Sequence, residues 1–224
     1  VELLVAGAKI GAIIACQNWR LAGPELAHCI SLVAPKILFT SARHAKKAQA
    51  LRLSVKTYIL DQSFGEKCAL CSDAVPMDQT NPEDGAVILY TSGTTGLPKG
   101  ALISHRAQIA RAQIQMIDLP ADFEDVFIAW APLFHMVSTD TVFKTLMIGG
   151  TVHVTDGFNA TELAQIIAQE QLGRLTLMPG MITPLIQAVR KNRSRVKGIK
   201  WIGVMADLVP LDQIAEVTKL LNAP

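Results

Sequence analysis

The chain is 224 residues long, half of them hydrophobic, with 21 basic and 19 acidic residues and a formal net charge of +2. That length buries a sizeable core in one large or two modest domains, and so small a charge supplies no field to hold nucleic acid or a membrane surface. The longest apolar candidate for a membrane span, residues 3–16, is broken by Lys9 and falls short of the roughly twenty residues a bilayer requires.

In chain order, the apolar spacing of residues 2–10 predicts a helix stopped by Gly11, then a short buried strand over 12–16. Pro24 suits a first helical turn, so 25–33 reads as a helix that ends before Pro35. A strand over 36–40, a basic surface helix over 42–51 and a strand over 55–60 follow. Strands alternating with helices imply a parallel sheet covered on both faces. From 61 to 84 the periodicity is lost, with Gly65, Pro76, Asn81 and Pro82 as breakers, and the stretch reads as a loop. Within it Cys68 and Cys71 have CxxC spacing, but a structural zinc needs four ligands and there is no second pair. They read as free thiols, and four cysteines without a disulfide framework point to a reducing, cytoplasmic setting.

A strand over 86–90 comes next, and Ser104 caps a helix over 105–117. The turn-formers at 118–122 are taken as the boundary between a first α/β subdomain, 1–118, and a second, 119–224. There the alternation restarts: strands over 126–130, 151–154, 174–178 and 201–204, with helices over 138–148, 160–171, 183–190 and one beginning near Pro210. The basic run 190–197 has no interleaved aromatic residues to stack on bases and reads as a solvated loop.

The most informative stretch is Tyr90-Thr91-Ser92-Gly93-Thr94-Thr95-Gly96-Leu97-Pro98-Lys99-Gly100. It joins the strand ending at Tyr90 to a second short strand over 101–103. Four hydroxyls (Thr91, Ser92, Thr94, Thr95), three glycines that let backbone N–H groups approach an anion, and one mobile cation, Lys99, are the donors a polyphosphate needs. The P-loop of nucleotide hydrolases is excluded: it requires Gly before the Lys and Ser or Thr after it, where Pro98 and Gly100 stand.

This string resembles the signature loop of the adenylate-forming, or AMP-binding, enzymes, which include acyl-CoA and aryl-CoA synthetases, firefly luciferase and the adenylation domains of peptide synthetases. The resemblance covers essentially the whole chain. Gln17 to Leu21 and Pro24-Glu25-Leu26 look like the family's early strand, turn and helix. Pro132-Leu133-Phe134-His135 is similar to its next motif, Gly149-Gly150-Thr151-Val152 to the glycine pair that follows, and Leu177-Met178-Pro179 to a later turn. Val204-Met205-Ala206-Asp207 stands where many relatives carry Gly-Gly-Ala. The family's Tyr-Gly-x-Thr-Glu motif, ribose-binding aspartate and C-terminal lysine domain are not in these residues.

The resemblance implies an α/β fold of two consecutive, mostly parallel sheets with covering helices, a layered αβαβα arrangement, forming a truncated N-terminal domain. It implies ATP-dependent activation of a carboxylic acid to an acyl-adenylate, followed by transfer to the thiol of CoA, with ATP, Mg2+ and CoA as cofactors and a homodimer possible. Lys99 and His135 would be catalytic. Thr91, Ser92, Gly93, Thr94, Thr95, Gly96 and Lys99, with Met205, Ala206 and Asp207, would hold the nucleotide; no residue is assigned to a metal. Phe134-His135 is more similar to acyl-CoA and aryl-CoA synthetases, hence a link to fatty acid metabolism, than to peptide-synthetase domains. A non-catalytic ATP- or AMP-binding module and a domain that loads a carrier protein are the alternatives.

Other residues have plainer readings. His28, His44 and His153 sit on patterns that need no function, and Ser104 and His105 start a helix. Asp140 and Lys144, four apart, read as a surface pair on one helix. Met178, Met181 and Met205 read as core or pocket lining.

Overall fold

The computed structural model describes residues 1–77, 80–91, 96–119, 121–193 and 195–224 and, at Ala206, the backbone alone. Two compact units divide the chain, Val1–Ala107 and Gln108–Pro224.

The first unit opens with α1 (Glu2–Lys9), whose exit is turned by Gly11 at φ 67°, a left-handed conformation that glycine adopts without penalty. Strand β1 (Ile14–Ala15) and helix α2 (Gly23–Leu32) follow; Pro24 lies in the first turn of α2, and the Glu25 carboxylate accepts the Ala22 N–H at 3.3 Å. Then come β2 (Ile37–Ser41), α3 (Ala42–Ala50), β3 (Lys56–Leu60), α4 (Gln62–Ala69), β4 (Gly85–Thr91) and β5 (Lys99–Ser104). These strands form two sheets. β2 and β3 pair in parallel from Ile37↔Lys56 to Ser41↔Leu60. β4 has β1 parallel on one edge and β5 antiparallel on the other. β1 and β5 are thus the edges of that sheet, and β2 and β3 pair only with each other, so the sheet expected here is divided in two.

The expected loop over 61–84 begins as a helix. The Asp61 carboxylate accepts the Phe64 N–H at 3.0 Å and caps α4, and the Phe64 ring meets Phe39 and Tyr58 edge-on at 5.8 and 6.1 Å. Those aromatic contacts come from β2 and β3. They supply the burial that the polar sequence of α4 does not advertise.

The chain passes into the second unit within α5 (His105–Asp118), capped as expected by Ser104, whose hydroxyl accepts the Ala107 N–H at 3.2 Å. The second unit continues as β6 (Val126–Ala129), α6 (Met136–Met147), β7 (Thr151–Val154), α7 (Ala160–Gln169), β8 (Leu172–Leu177), α8 (Ile182–Asn192), β9 (Ile199–Val204), a single 3-10 turn (Ala206–Leu208) and α9 (Leu211–Leu220). Its strands form one fully parallel sheet in the order β7-β6-β8-β9. Val126 and Ile128 of β6 and Leu175 and Leu177 of β8 meet α7, α8 and α9 through Leu163, Ile167, Leu185, Ile186, Val217 and Leu221, a continuous buried core. Helix α8 runs to Asn192, so the start of the basic run is helical, and Arg190 pairs with Glu216 at 2.6 Å. The turn before β7 is tight: Gly149 sits at φ 75°, and a Cβ on Gly150 would lie 2.4 Å from the Asp125 carbonyl oxygen.

Candidate functional site

The glycine- and hydroxyl-rich stretch is the loop of an antiparallel hairpin. β4 and β5 pair from Val87↔Ile103 to Tyr90↔Gly100 and Thr91↔Lys99, so Thr91 and Lys99 face each other across its mouth. Ser92, Gly93, Thr94 and Thr95 lie outside the described residues. Thr91, Gly96 and Lys99 are exposed, and no atom lies within 4 Å of where a Cβ on Gly96 would be. The pairing brings the lysine beside the first hydroxyl of the loop, an arrangement suited to an anion held from both ends.

What fixes the hairpin comes from far along the chain. The Tyr90 hydroxyl donates to the Cys29 carbonyl of α2 at 2.7 Å and accepts from Gln17 Nε2 at 2.9 Å. Partial burial pushes its phenol up from the usual tyrosine range. His28 Nε2 lies 3.3 Å from the Pro98 carbonyl, a contact it makes as an N–H donor. An open cavity of about 630 Å³ lies between α2, with His28, Leu32 and Val33, and the hairpin, with Ile88 and the exit residues Leu97 to Gly100. His28 is therefore a support for the loop exit. No local pattern announces it, because its partner is 70 residues away.

In the second unit His135 is the residue that opens α6, in extended conformation at φ −100° and ψ 132°. It is exposed, whereas Phe134 beside it is buried with the two rings 4.6 Å apart. The turn that carries it is clamped by hydroxyls from the first turn of α6: Ser138 Oγ donates to the Ala131 carbonyl and Thr139 Oγ1 to the Leu133 carbonyl, each at 2.7 Å. No sequence signal singles out these two residues, because Ser and Thr at a helix start are common caps. Met205 is exposed after β9, and Asp207 is exposed in the 3-10 turn; the Ala206 side chain lies outside the described residues. Both His135 and the Met205 to Asp207 turn follow carboxyl ends of strands in one parallel sheet, the edge where open α/β sheets take ligands.

Comparison with known proteins decides the family. The sequence profile described as AMP-binding enzyme matches residues 1–223. The chain belongs to the AMP-binding enzymes. It is 32% identical to the indoleacetate–CoA ligase of Aromatoleum aromaticum over 227 residues, which is 96% of this chain and 44% of that protein. Its fold matches the inhibitor-bound N-terminal domain of FACL13 from Mycobacterium tuberculosis with a TM-score of 0.88 at 24% identity, covering 99% of this chain and 57% of that one. It also matches ATP-bound MatB from Rhodopseudomonas palustris, with a TM-score of 0.78 at 23% identity over 97% of this chain and 44% of that one. The chain thus spans about half the length of the proteins it matches.

One reading of this AMP-binding enzyme's sequence needs correction. Asp140 and Lys144 are not a surface pair: they are 2% and 5% exposed. The Asp140 carboxylate accepts from Gln108 Nε2 at 3.1 Å and from Arg111 Nε at 2.9 Å, both on α5, so a neighbouring helix covers the face that spacing assigned to solvent. Burial, and then the nearby Arg174 guanidinium, lower the Lys144 amine from the ordinary lysine range. Of the three methionines, Met178 and Met205 are 38% and 46% exposed and thus not core, and only Met181 packs against the core. His153 pairs with Glu170 at 2.8 Å. Among the described residues no three His, Cys, Asp or Glu side chains gather to hold a metal ion, and no helix is long and apolar enough to cross a membrane.

Proposed function

We propose that, in a protein of its relatives' length, these residues supply the phosphate-holding and acid-side parts of an AMP-forming acid–CoA ligase. A carboxylate oxygen attacks the α-phosphorus of ATP, pyrophosphate leaves, and the acyl-adenylate forms; the CoA thiol then attacks the acyl carbon and AMP leaves. A carboxylate resists thiols because oxide is a poor leaving group, and the adenylate replaces it with a good one. Such a displacement needs positioning and charge stabilisation on phosphate oxygens and no covalent nucleophile. Thr91, Ser92, Gly93, Thr94, Thr95 and Gly96 take the role of phosphate cradle and Lys99 that of its cation. His135 serves the acid, and Met205, Ala206 and Asp207 border the nucleotide. Mg2+ enters on the phosphates of ATP, and this reading gives none of these residues a part in holding it. The protein is placed in the cytoplasm, in keeping with its free cysteines.

The observation that carries the reading is the hairpin, with Lys99 exposed at its mouth opposite Thr91, in a chain of the AMP-binding family. Calorimetric titration of the 224-residue chain with ATP tests it. Lys99→Ala is expected to weaken binding about tenfold, the worth of one charge-assisted hydrogen bond. Binding that the substitution leaves unchanged refutes the assignment. In a chain of the relatives' length, the same substitution is expected to slow acid-dependent pyrophosphate release about 100-fold with the KM for the acid unaltered.

A further inference from the structure

Cys68 and Cys71 have no part in the nucleotide chemistry, yet the fold sets them together. Cys68 lies in the last turn of α4, and Cys71 comes directly after the residue that ends it, Leu70. The Cys71 N–H donates to the Cys68 carbonyl at 3.0 Å. A hydrogen-bonded turn of this kind keeps its end Cα atoms within about 7 Å, and a disulfide spans Cα separations of about 4.4–6.8 Å. The Cys71 thiol donates to the Lys67 carbonyl at 3.4 Å, so its sulfur folds back over the turn that carries Cys68. Both thiols are free and exposed. Every residue from Gly65 to Met77 is exposed as well, so no packing holds either side chain away from the other.

We propose that Cys68 and Cys71 are a dithiol modification site that closes to an intramolecular disulfide by exchange with a small disulfide of the glutathione class. The thiolate of one cysteine attacks a sulfur of the oxidised reagent, whose S–S bond breaks and releases one thiolate. The second cysteine, as thiolate, attacks the protein sulfur of this mixed disulfide and expels the other. The protein gives up two protons and two electrons, and the reagent takes them up as two thiols.

The remaining cysteines are set apart from this chemistry. Cys29 is fully buried, and burial pushes its thiol up, while the half-buried Cys16 is pushed up to about 11 by the same cause. The thiolate is the reacting form, so exchange falls on the exposed pair. The closed ring pins the last turn of α4, where the chain sets out toward β4.

The test is incubation of the reduced chain with oxidised glutathione, then alkylation with N-ethylmaleimide and peptide mass spectrometry. The expected result is loss of alkylation at both Cys68 and Cys71, a peptide lighter by two hydrogen atoms with no glutathione attached, and unchanged Cys16 and Cys29. Cys71→Ser, at an exposed position, is expected to convert the product into a glutathione adduct on Cys68. Adducts that persist on both Cys68 and Cys71 of the unsubstituted chain overturn the proposal, as does oxidation of Cys16 or Cys29 before the pair.

Discussion

In the second unit β6 is buried at all four positions and β8 at four of six, beneath a layer of three helices. In the first unit neither β2 nor β3 has a fully buried residue, and β5 buries only Ile103. A central parallel strand is apolar on both faces because helices cover both. The hairpin strand β5 instead starts with Lys99 and Gly100, residues suited to an anion and poor in surface to bury. The residues proposed to hold phosphate therefore sit at the mouth of a hairpin whose second strand is largely exposed, fixed by a few long-range hydrogen bonds from Tyr90 and His28, and those proposed to serve the acid follow strands of a packed sheet.

The sharpest test of that contrast compares two truncations. Leu175→Ala, in the core of the second unit, is expected to cost about 4 kcal/mol through lost transfer energy and the cavity left behind. Ile59→Ala, on the half-buried β3, is expected to cost about 1 kcal/mol. Equal losses in urea denaturation would erase the distinction. Substitutions at two glycines are expected to differ from each other in sign. Gly150→Ala drives a Cβ into the Asp125 carbonyl and is expected to destabilise by about 2 kcal/mol. Gly65→Ala fills open space within α4 and is expected to stabilise by about 0.5 kcal/mol.

Two titrations separate the units further. Burial lowers Lys144 in the folded chain, so across the alkaline window below the ordinary lysine value the unfolded state binds more protons, and stability rises with pH. Lys144→Met is expected to abolish that slope and to raise stability at neutral pH. Denaturation midpoints across the window check it. Hydrogen bonding from the Phe64 N–H, and then from the Ser63 side chain, lowers the Asp61 carboxyl. Its cap on α4 is thus fully present above the ordinary carboxylate range and lost as pH falls through the depressed folded value. The expected readout, the smallest of these, is a lower protection of the Phe64 amide relative to its intrinsic exchange rate, in acid or in Asp61→Ala.

How much was legible follows from where each signal resides. The alternation of strands and helices, the two strands that flank the glycine- and hydroxyl-rich stretch, and the Ser104 cap are written in residues a few positions apart, so the sequence carries them. Helix α4 reads as loop from the sequence because Gly65 and a polar composition hide it, and the burial that holds it arrives through Phe39 and Tyr58. Asp140 and Lys144 read as surface from the sequence because charges four apart on a helix usually face water, and the helix whose Gln108 and Arg111 bind Asp140, α5, enters only with tertiary packing. The same holds for His28, whose partner Pro98 is distant in sequence.

By itself, then, the sequence determined the family and the α/β alternation, because both are written in residue types at short, fixed spacing. Only the tertiary structure decided how the first unit's strands divide into two sheets, which charges are buried, and what anchors the hairpin. Those outcomes depend on which strand edges and helix faces meet, and such meetings join residues that no local pattern relates.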